Sequence, residues 1–277
     1  MCRLLAYLGP PATLEELLFA PEHSLVRQSY APRHQRHGTV NADGFGVGWY
    51  DRDRRPEPAR YRSDRPIWSD RSLASMAGLI RSTAVVAAVR SATPPAPVEE
   101  SGSPPFTWGP WLFAHNGAVE GFAGAVGAAL RGLVSDRRVA QVEGSADSAV
   151  VFALVLDALD RGTEPAGALA SALAAVEQVA AARLNLMLTD GTSVAATTCG
   201  DSLFVLDETG AGTDGGGKDG GGKDGGGKDG GGRVVVASEP WDDDRRWREV
   251  ADRSVVVATS SAVTVAPLPV RVPERRR

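Results

Sequence analysis

The order of the predicted secondary-structure elements constrains the fold of this chain more than any other feature. Apolar, strand-like stretches come first, two helices follow one another directly, and strand-like stretches then return. The predicted strands cover residues 2–8, 41–50, 82–93, 109–119, 183–198 (a hairpin turning at Asp190-Gly191), 202–208, 233–240 and 254–268, and the two helices cover 147–159 and 163–182. Alternating strand–helix units are absent, which argues against a doubly wound parallel sheet. The pattern predicts an α+β fold of two antiparallel sheets with helices packed outside them.

Two local signals add detail to this outline. Thr13 is followed three residues later by Glu16, the spacing of a capping box, and this predicts a short helix from Thr13 to Phe19. Asn116-Gly117 is a strong turn dipeptide, and it predicts that the strand over 109–119 is broken there.

The domain organisation follows from composition. The chain has 277 residues, of which 43% are hydrophobic, so it can form a sizeable core. We expect one domain over residues 2–268, a glycine-rich flexible insertion at 211–232 within it, and a basic C-terminal tail at 269–277. The insertion repeats the five-residue unit DGGGK and has nothing apolar to bury. An expanded hairpin loop is favoured over a tether for a partner, because loop entropy grows slowly with length.

Charge and cysteine content exclude several function classes. A net charge of −4 argues against nucleic-acid binding. Cys2 and Cys199 have no metal-ligand spacing and are too few for a disulfide framework. Such a low cysteine content is typical of proteins in a reducing cytoplasm. The N-terminus does not resemble a secretory signal, and no apolar run reaches membrane-spanning length. A cytoplasmic protein is expected, and its oligomeric state stays open.

Cys2 occupies the one position that can carry a thiol and a free α-amine on the same carbon, once Met1 is removed. A cysteine in an N-terminal strand is commonly a small buried hydrophobic residue. However, an α-amine titrates near 7.7–8.0 and a thiol near 8.5, so the amine can accept the thiol proton near neutral pH. Cys2 is therefore a candidate nucleophile with its own base.

Four further residues are candidates for substrate contacts. Asn116 and Gly117 either form a simple turn or supply an oxyanion hole from a side-chain amide and a backbone N–H. Arg90 ends an apolar strand at a loop, where it either emerges into solvent or binds a carboxylate with two hydrogen bonds. Asp147 begins a helix, where it either complements the helix dipole or holds a substrate ammonium.

Other motifs favour structural interpretations. None of the four histidines has metal-ligand spacing, and His115 is expected to orient or pack beside Asn116 and not to act as a base. Cys199 is expected to be inert within a strand. The run Gly44-Phe45-Gly46-Val47-Gly48 lacks the spacing and βαβ context of a dinucleotide-binding motif.

In combination and in this order, "MCR", "NADGFGVGWY", "AVRSAT", "HNG" and the "DS" at 147–148 resemble the class II glutamine amidotransferases, a family of N-terminal nucleophile hydrolases. The resemblance spans roughly residues 2–208 and 233–268. It implies a four-layer αββα sandwich, with Cys2 as nucleophile and its α-amine as base. It further implies that Asn116 and Gly117 form the oxyanion hole.

The resemblance also assigns the substrate contacts. Arg90 matches the arginine that binds the α-carboxylate of a glutamyl group, Thr93 is implied as a helper beside it, and Asp147 matches the acid that binds the α-ammonium. The substrate is then a small γ-glutamyl molecule, and no metal or organic cofactor is required.

A finer similarity separates the functions that the family allows. The stretches "QSYAPRHQRHGTVNADGFGVGWY", "RLNLMLTDG" and "ASEPWDDDRRW" resemble the γ-glutamyl-hercynylcysteine S-oxide hydrolases of ergothioneine biosynthesis. A quaternary ammonium on such a leaving group could be held by an aromatic ring, for which Trp49, Trp241 and Trp247 are candidates. The alternatives are a glutaminase subunit that supplies ammonia to a partner synthase, and a non-catalytic binding module.

Overall fold

The computed structural model describes residues 2–209 and 232–268. The predicted insertion, apart from Gly232, and the predicted C-terminal tail lie outside these residues, as does Met1. The strands are β1 (Arg3–Thr13), β2 (Phe45–Trp49), β3 (Ala59–Ser63), β4 (Arg81–Val89), β5 (Phe106–Trp108), β6 (Trp111–Val119), β7 (Ala182–Thr189), β8 (Ser193–Thr197), β9 (Phe204–Asp207), β10 (Val234–Ala237), β11 (Trp247–Glu249), β12 (Ser254–Thr259) and β13 (Val263–Pro267). The helices are α1 (Leu14–Leu18), α2 (Leu25–Tyr30), α3 (Arg71–Met76), α4 (Ala125–Arg131), α5 (Asp136–Val139), α6 (Asp147–Asp160) and α7 (Pro165–Glu177).

The strands form two sheets, and every strand pairing within them is antiparallel. Sheet A has the order β11-β9-β10-β1-β4-β2-β3, and sheet B has the order β13-β12-β8-β7-β6-β5. The expected α+β fold with two antiparallel sheets is therefore confirmed.

Strand alternation explains why the sheets stack with helices on both sides. In β1, Leu4, Ala6 and Leu8 pack with sheet B residues in the core between the sheets. The intervening residues of β1, such as Leu5, pack instead with the leucines of α1 on the outer side. The outer face of sheet B packs against α6 and α7 in a third core. The layers are therefore helix, sheet, sheet and helix, with both sheets buried on two faces.

Several local predictions are confirmed. Thr13 caps α1 in a full capping box with Glu16. The helix predicted at 147–159 is α6, the hairpin at 183–198 is β7–β8, and the strand pair at 202–208 and 233–240 is β9–β10. The helix predicted over 163–182 is shorter and ends at Glu177, since the chain must enter β7 at Ala182.

The predicted break at Asn116-Gly117 is wrong. β6 runs without interruption from Trp111 to Val119, and Asn116 pairs with Asn185 while Gly117 pairs with Leu184. Pairing with β7 across this region overrides the local turn preference of the dipeptide. The site residues therefore lie on a rigid strand and not in a turn.

Candidate active site

A cavity of about 590 Å³ brings together most of the residues that the sequence singled out. Cys2, Arg90, Thr93, Gly117 and Asp147 all line it. Asn116 is completely buried next to Gly117. Residues that are up to 145 positions apart in the sequence thus meet at one site, as the resemblance implied.

Strand pairing sets the position of Cys2. β1 and β4 are antiparallel, with Arg3 opposite Val89. Continuing this register by one residue places Cys2 opposite Arg90. The start of one central strand and the end of its neighbour therefore lie side by side at the edge of the cavity, and Cys2 is 9% exposed.

The Asn116 side chain connects Cys2 to the second sheet. Its Oδ1 accepts a hydrogen bond of 2.8 Å from the Cys2 nitrogen, which is the α-amine once Met1 is removed. Its Nδ2 is buried and has no hydrogen-bond partner among the described residues. A buried amide donor without a partner is costly unless something else accepts from it. One carboxamide therefore holds the Cys2 nitrogen and leaves a buried donor available beside the cavity.

Gly117 lies where a larger residue does not fit. A Cβ atom at this position would overlap the carbonyl oxygen of Arg183 on β7. Its φ of 155° is also unfavourable for a residue with a side chain. Glycine is thus required for β6 to approach β7 closely beside Asn116.

Arg90 is a buried cation that forms no ion pair with a carboxylate of the described residues. The side chain is 5% exposed, and its guanidinium donates to the carbonyl oxygens of Asp43 (3.3 Å) and Pro97 (3.1 Å). Among the described residues these acceptors are carbonyls and not carboxylates. The Asp43 carboxylate instead accepts from the backbone N–H of Ala92 at 2.8 Å, which holds the loop that follows β4. The guanidinium therefore keeps its positive charge available for an anionic group in the cavity.

Asp147 is the first residue of α6, and neighbouring donors fix its carboxylate. Oδ2 accepts from the backbone N–H of Val119 (2.9 Å), and Oδ1 accepts from that of Ser148 (2.8 Å). Oδ1 also lies 3.3 Å from the Ser148 hydroxyl, whereas Oδ2 has a second lone pair that can accept from an ammonium group. Position and orientation thus suit both interpretations of Asp147, the helix start and the cation site.

His115 is engaged at both ring nitrogens. Nε2 lies 3.1 Å from the carbonyl oxygen of Arg183, and Nδ1 lies 3.0 Å from the Ser148 hydroxyl. A carbonyl only accepts, so Nε2 carries a proton and donates. In the neutral ring Nδ1 then accepts from Ser148. This ring links β6, β7 and the start of α6.

Comparison with known proteins gives a consistent result. The model of the glutamine amidotransferases class-II family matches residues 20–209. The chain is 40% identical to the gamma-glutamyl-hercynylcysteine sulfoxide hydrolase of Mycolicibacterium smegmatis, over 97% of this chain and 100% of that protein. It is 39% identical to the protein of the same name from Mycobacterium tuberculosis, over 97% of both.

The chain belongs to the class II glutamine amidotransferases. A solved structure of a glutamine aminotransferase class-II domain protein from Silicibacter pomeroyi superposes with a TM-score of 0.66 at 25% identity, covering 97% of this chain and 100% of that one. This similarity confirms the αββα sandwich that the resemblance implied.

In this class II amidotransferase the three candidate tryptophans lie away from the cavity. Trp49 packs against the outer core of sheet A, and Trp241 and Trp247 contact each other edge to face, 5.9 Å apart. Among the described residues, Phe122 is the Phe, Tyr or Trp side chain that lines the cavity, and the guanidinium carbon of Arg131 lies 4.9 Å from its ring centroid. The ring of Phe122 is therefore already in contact with a cation of this chain.

Cys199 lies just after β8, and not within a strand as predicted. Its thiol is buried and contacts Arg253 and Glu177, and burial raises its pKa.

Over residues 2–209 and 232–268, no group of three His, Cys, Asp or Glu side chains is arranged to hold a metal ion. Within the same ranges, no helix has the length and apolar character that crossing a membrane requires.

Sequence reasoning missed three residues that hold the site together: Arg3, Asp43 and Ser148. Arg3 donates from Nε to the Cys2 carbonyl oxygen at 2.8 Å, and Asp43 and Ser148 support Arg90 and Asp147 as described above. A charged residue inside the apolar run "CRLLAYL" was the available signal for Arg3. Asp43 and Ser148 lie within the quoted stretches "NADGFGVGWY" and "DS", but no sequence pattern indicates their contacts.

Proposed function

We propose that this class II amidotransferase hydrolyses the γ-glutamyl amide bond of γ-glutamyl-hercynylcysteine sulfoxide and releases glutamate and hercynylcysteine sulfoxide, in ergothioneine biosynthesis. The two mycobacterial relatives carry that hydrolase name and align over nearly their whole length. The observation that carries the chemistry is the Asn116 carboxamide, which accepts from the Cys2 nitrogen and presents a buried donor without a partner.

Substrate binding in this proposal uses two of the charged residues that line the cavity, Arg90 and Asp147. Arg90 binds the α-carboxylate of the glutamyl group, with Thr93 beside it, and Asp147 binds the α-ammonium. Together they fix the amino-acid head and hold the δ-carbonyl over Cys2, which makes the attack effectively intramolecular.

The reaction then proceeds by acyl transfer. The Cys2 α-amine takes the thiol proton, and Sγ attacks the δ-carbonyl carbon. The oxyanion is stabilised by Asn116 Nδ2 and the Gly117 N–H. As the C–N bond breaks, the α-ammonium returns the proton to the leaving amine and a glutamyl thioester remains. Water, deprotonated by the same amine, attacks the thioester and releases glutamate and the free thiol.

The cavity favours a substrate with a large leaving group. Its volume of about 590 Å³ lies within the range of pockets that enclose drug-sized ligands, and it extends to Phe122 and Arg131 beyond the charged residues. A glutaminase needs room only for glutamine and for departing ammonia. A leaving group that fills the remaining volume therefore fits this site better.

Intact-mass spectrometry with steady-state assays tests the proposal. The mature protein should lack Met1 and gain a glutamyl adduct on Cys2 during turnover, and Cys2→Ala should abolish glutamate release without unfolding the protein. The purified enzyme is given glutamine and the γ-glutamyl sulfoxide in parallel. A higher kcat/KM for glutamine would favour the ammonia-donating subunit, and failure of Cys2 to react with an electrophilic glutamine analogue would favour the binding module.

A further inference from the structure

Arg3 is a buried charged side chain that the proposed mechanism does not use. It is completely buried and is the largest such side chain in the described part of the chain. Its Nε donates 2.8 Å to the Cys2 carbonyl oxygen, while Nη1 and Nη2 have no hydrogen-bond partner among the described residues. Burying a charge costs several kcal/mol unless other charges compensate for it. A side chain retained at such a cost calls for a physical reason.

Two buried carboxylates act on the charge of Arg3 through space, although neither forms an ion pair or hydrogen bond with its guanidinium. Glu239 is completely buried and Asp201 is 5% exposed. Burial lowers the pKa of the Arg3 guanidinium, while the charges of Glu239, Asp201 and Cys2 raise it. Asp201 also lies 3.5 Å from Arg183, so the cluster contains two cations and two anions behind Cys2.

Glu239 connects this cluster to a neighbouring segment. Its Oε2 accepts from the backbone N–H groups of Arg33 (2.7 Å) and His34 (2.8 Å) and lies 3.6 Å from His23 Nε2. Burial raises the pKa of Glu239, but the neighbouring His23, the charge of Arg3 and the two backbone donors outweigh burial and lower it. The carboxylate is thus ionised at neutral pH and balances Arg3.

The geometry around Cys2 indicates what Arg3 does. Once Met1 is removed, Cys2 is the chain terminus, and terminal residues are poorly ordered unless contacts hold them. Asn116 holds the nitrogen of Cys2, and Arg3 holds its carbonyl oxygen. With both backbone substituents of the Cα fixed, the remaining direction is that of the side chain, which lines the cavity.

We propose that Arg3 is a positioning residue, which fixes the Cys2 carbonyl through a buried charge cluster with Glu239 and Asp201 and so aims the α-amine and Sγ at the substrate. The role rests on the proposed function, because it presupposes Cys2 as nucleophile. Arg3 touches no substrate in this role and acts through Cys2 alone.

The test compares three variants: Arg3→Met, Arg3→Lys and the control Arg138→Met. Arg138 is also a buried arginine, 3% exposed, but it pairs with Asp160 and does not line the cavity of Cys2. Each protein is first shown by intact mass to begin at Cys2. The thermal midpoint, kcat and KM for γ-glutamyl-p-nitroanilide, and labelling of Cys2 by a diazoketone analogue of glutamine are then measured.

A positioning role predicts a kcat effect without a matching loss of binding. Arg3→Met should lower kcat and the maximal labelling rate by roughly 10²-fold, since a displacement of about 1 Å can cost that much. KM and the labelling half-saturation concentration should stay within about threefold. Arg3→Lys keeps the charge and should recover part of the loss. Arg138→Met should lower the thermal midpoint without changing kcat.

The opposite results are equally specific. If Arg3→Met lowers the thermal midpoint as Arg138→Met does but keeps kcat, the role of Arg3 is purely structural and the proposal is overturned. Should Arg3→Met fail to fold, Arg3→Lys decides, and an unchanged kcat in that variant overturns the proposal. Absence of Cys2 labelling in the unsubstituted protein would instead overturn the proposed function itself.

Discussion

Substitution of Asn116 tests the most specific geometric feature of the site. Its carboxamide has two roles, because Oδ1 accepts from the Cys2 nitrogen at 2.8 Å and Nδ2 is buried without a partner. Asn116→Ala removes both groups. Asn116→Asp keeps an acceptor for the amine but replaces the donor with a carboxylate oxygen that repels an oxyanion.

The expected magnitude follows from the donor. Loss of one oxyanion-hole donor costs about 10²–10³-fold in kcat, or about 2.7–4 kcal/mol. Asn116→Ala should lose that factor plus the contribution of a hydrogen bond to the amine, about 0.5–1.5 kcal/mol. Asn116→Asp should lose at least the donor contribution. KM should change little in both, because the interaction develops in the transition state.

The assay measures kcat from glutamate release under saturating γ-glutamyl substrate. The rate of Cys2 acylation in a single turnover is measured separately by mass spectrometry. Asn41→Ala is the matched control. Asn41 is also a completely buried asparagine, but its Nδ2 donates to Gln28 and Gln35 and it does not line the cavity. It should lower stability and leave kcat within about threefold. An Asn116→Ala enzyme with kcat within tenfold of the unsubstituted protein, or with its whole defect in KM, would refute the oxyanion assignment.

Three further predictions concern binding, pH and the insertion. Arg90→Gln should raise KM for γ-glutamyl substrates about 10–100-fold, because it removes a hydrogen bond between charged groups. The control Arg60→Gln on β3 should leave KM unchanged. Because the pKa of Glu239 is lowered in the folded state, its ionised form stabilises the fold above pH 4.5, and this stabilisation is lost as the pH falls through the folded-state pKa. In urea titrations below pH 4.5, the free energy of unfolding of Glu239→Gln should therefore fall less steeply with pH than that of the unsubstituted protein. Deleting residues 212–229 should keep kcat and raise the unfolding free energy by about 1 kcal/mol in urea titrations, since each halving of a loop contributes about 0.6 kcal/mol. A loss of activity would instead give this segment a functional role.

Much of the fold was predictable because hydrophobic patterning and turn signals agree over long segments. Helix α6 and the β7–β8 hairpin at Asp190-Gly191 lie where the sequence placed them. The small peripheral elements were missed, among them α3 and β3, whose residues are short and partly exposed and carry weak periodicity.

The site was predictable as a set of residue types and not as a geometry. The resemblance named Cys2, Arg90, Asn116 and Asp147, but a turn signal misplaced Asn116 because local preference cannot register a partner strand about 70 residues away. Arg3 was missed for a related reason, since its function depends on two carboxylates about 200 residues further along the chain.

In the proposed mechanism a chain terminus serves as both nucleophile and base, and this requirement accounts for the arrangement of the site. A terminal residue has one chain neighbour fewer than an internal one, so the fold must supply the missing restraint from elsewhere. Asn116 supplies one from sheet B to the nitrogen, and Arg3 supplies another to the carbonyl on the far side. If Arg90 binds the substrate carboxylate as proposed, the register of β1 and β4, which places Arg90 opposite Cys2, sets the distance from that carboxylate to the thiol. A shift of that register would separate the proposed nucleophile from the group proposed to position its substrate.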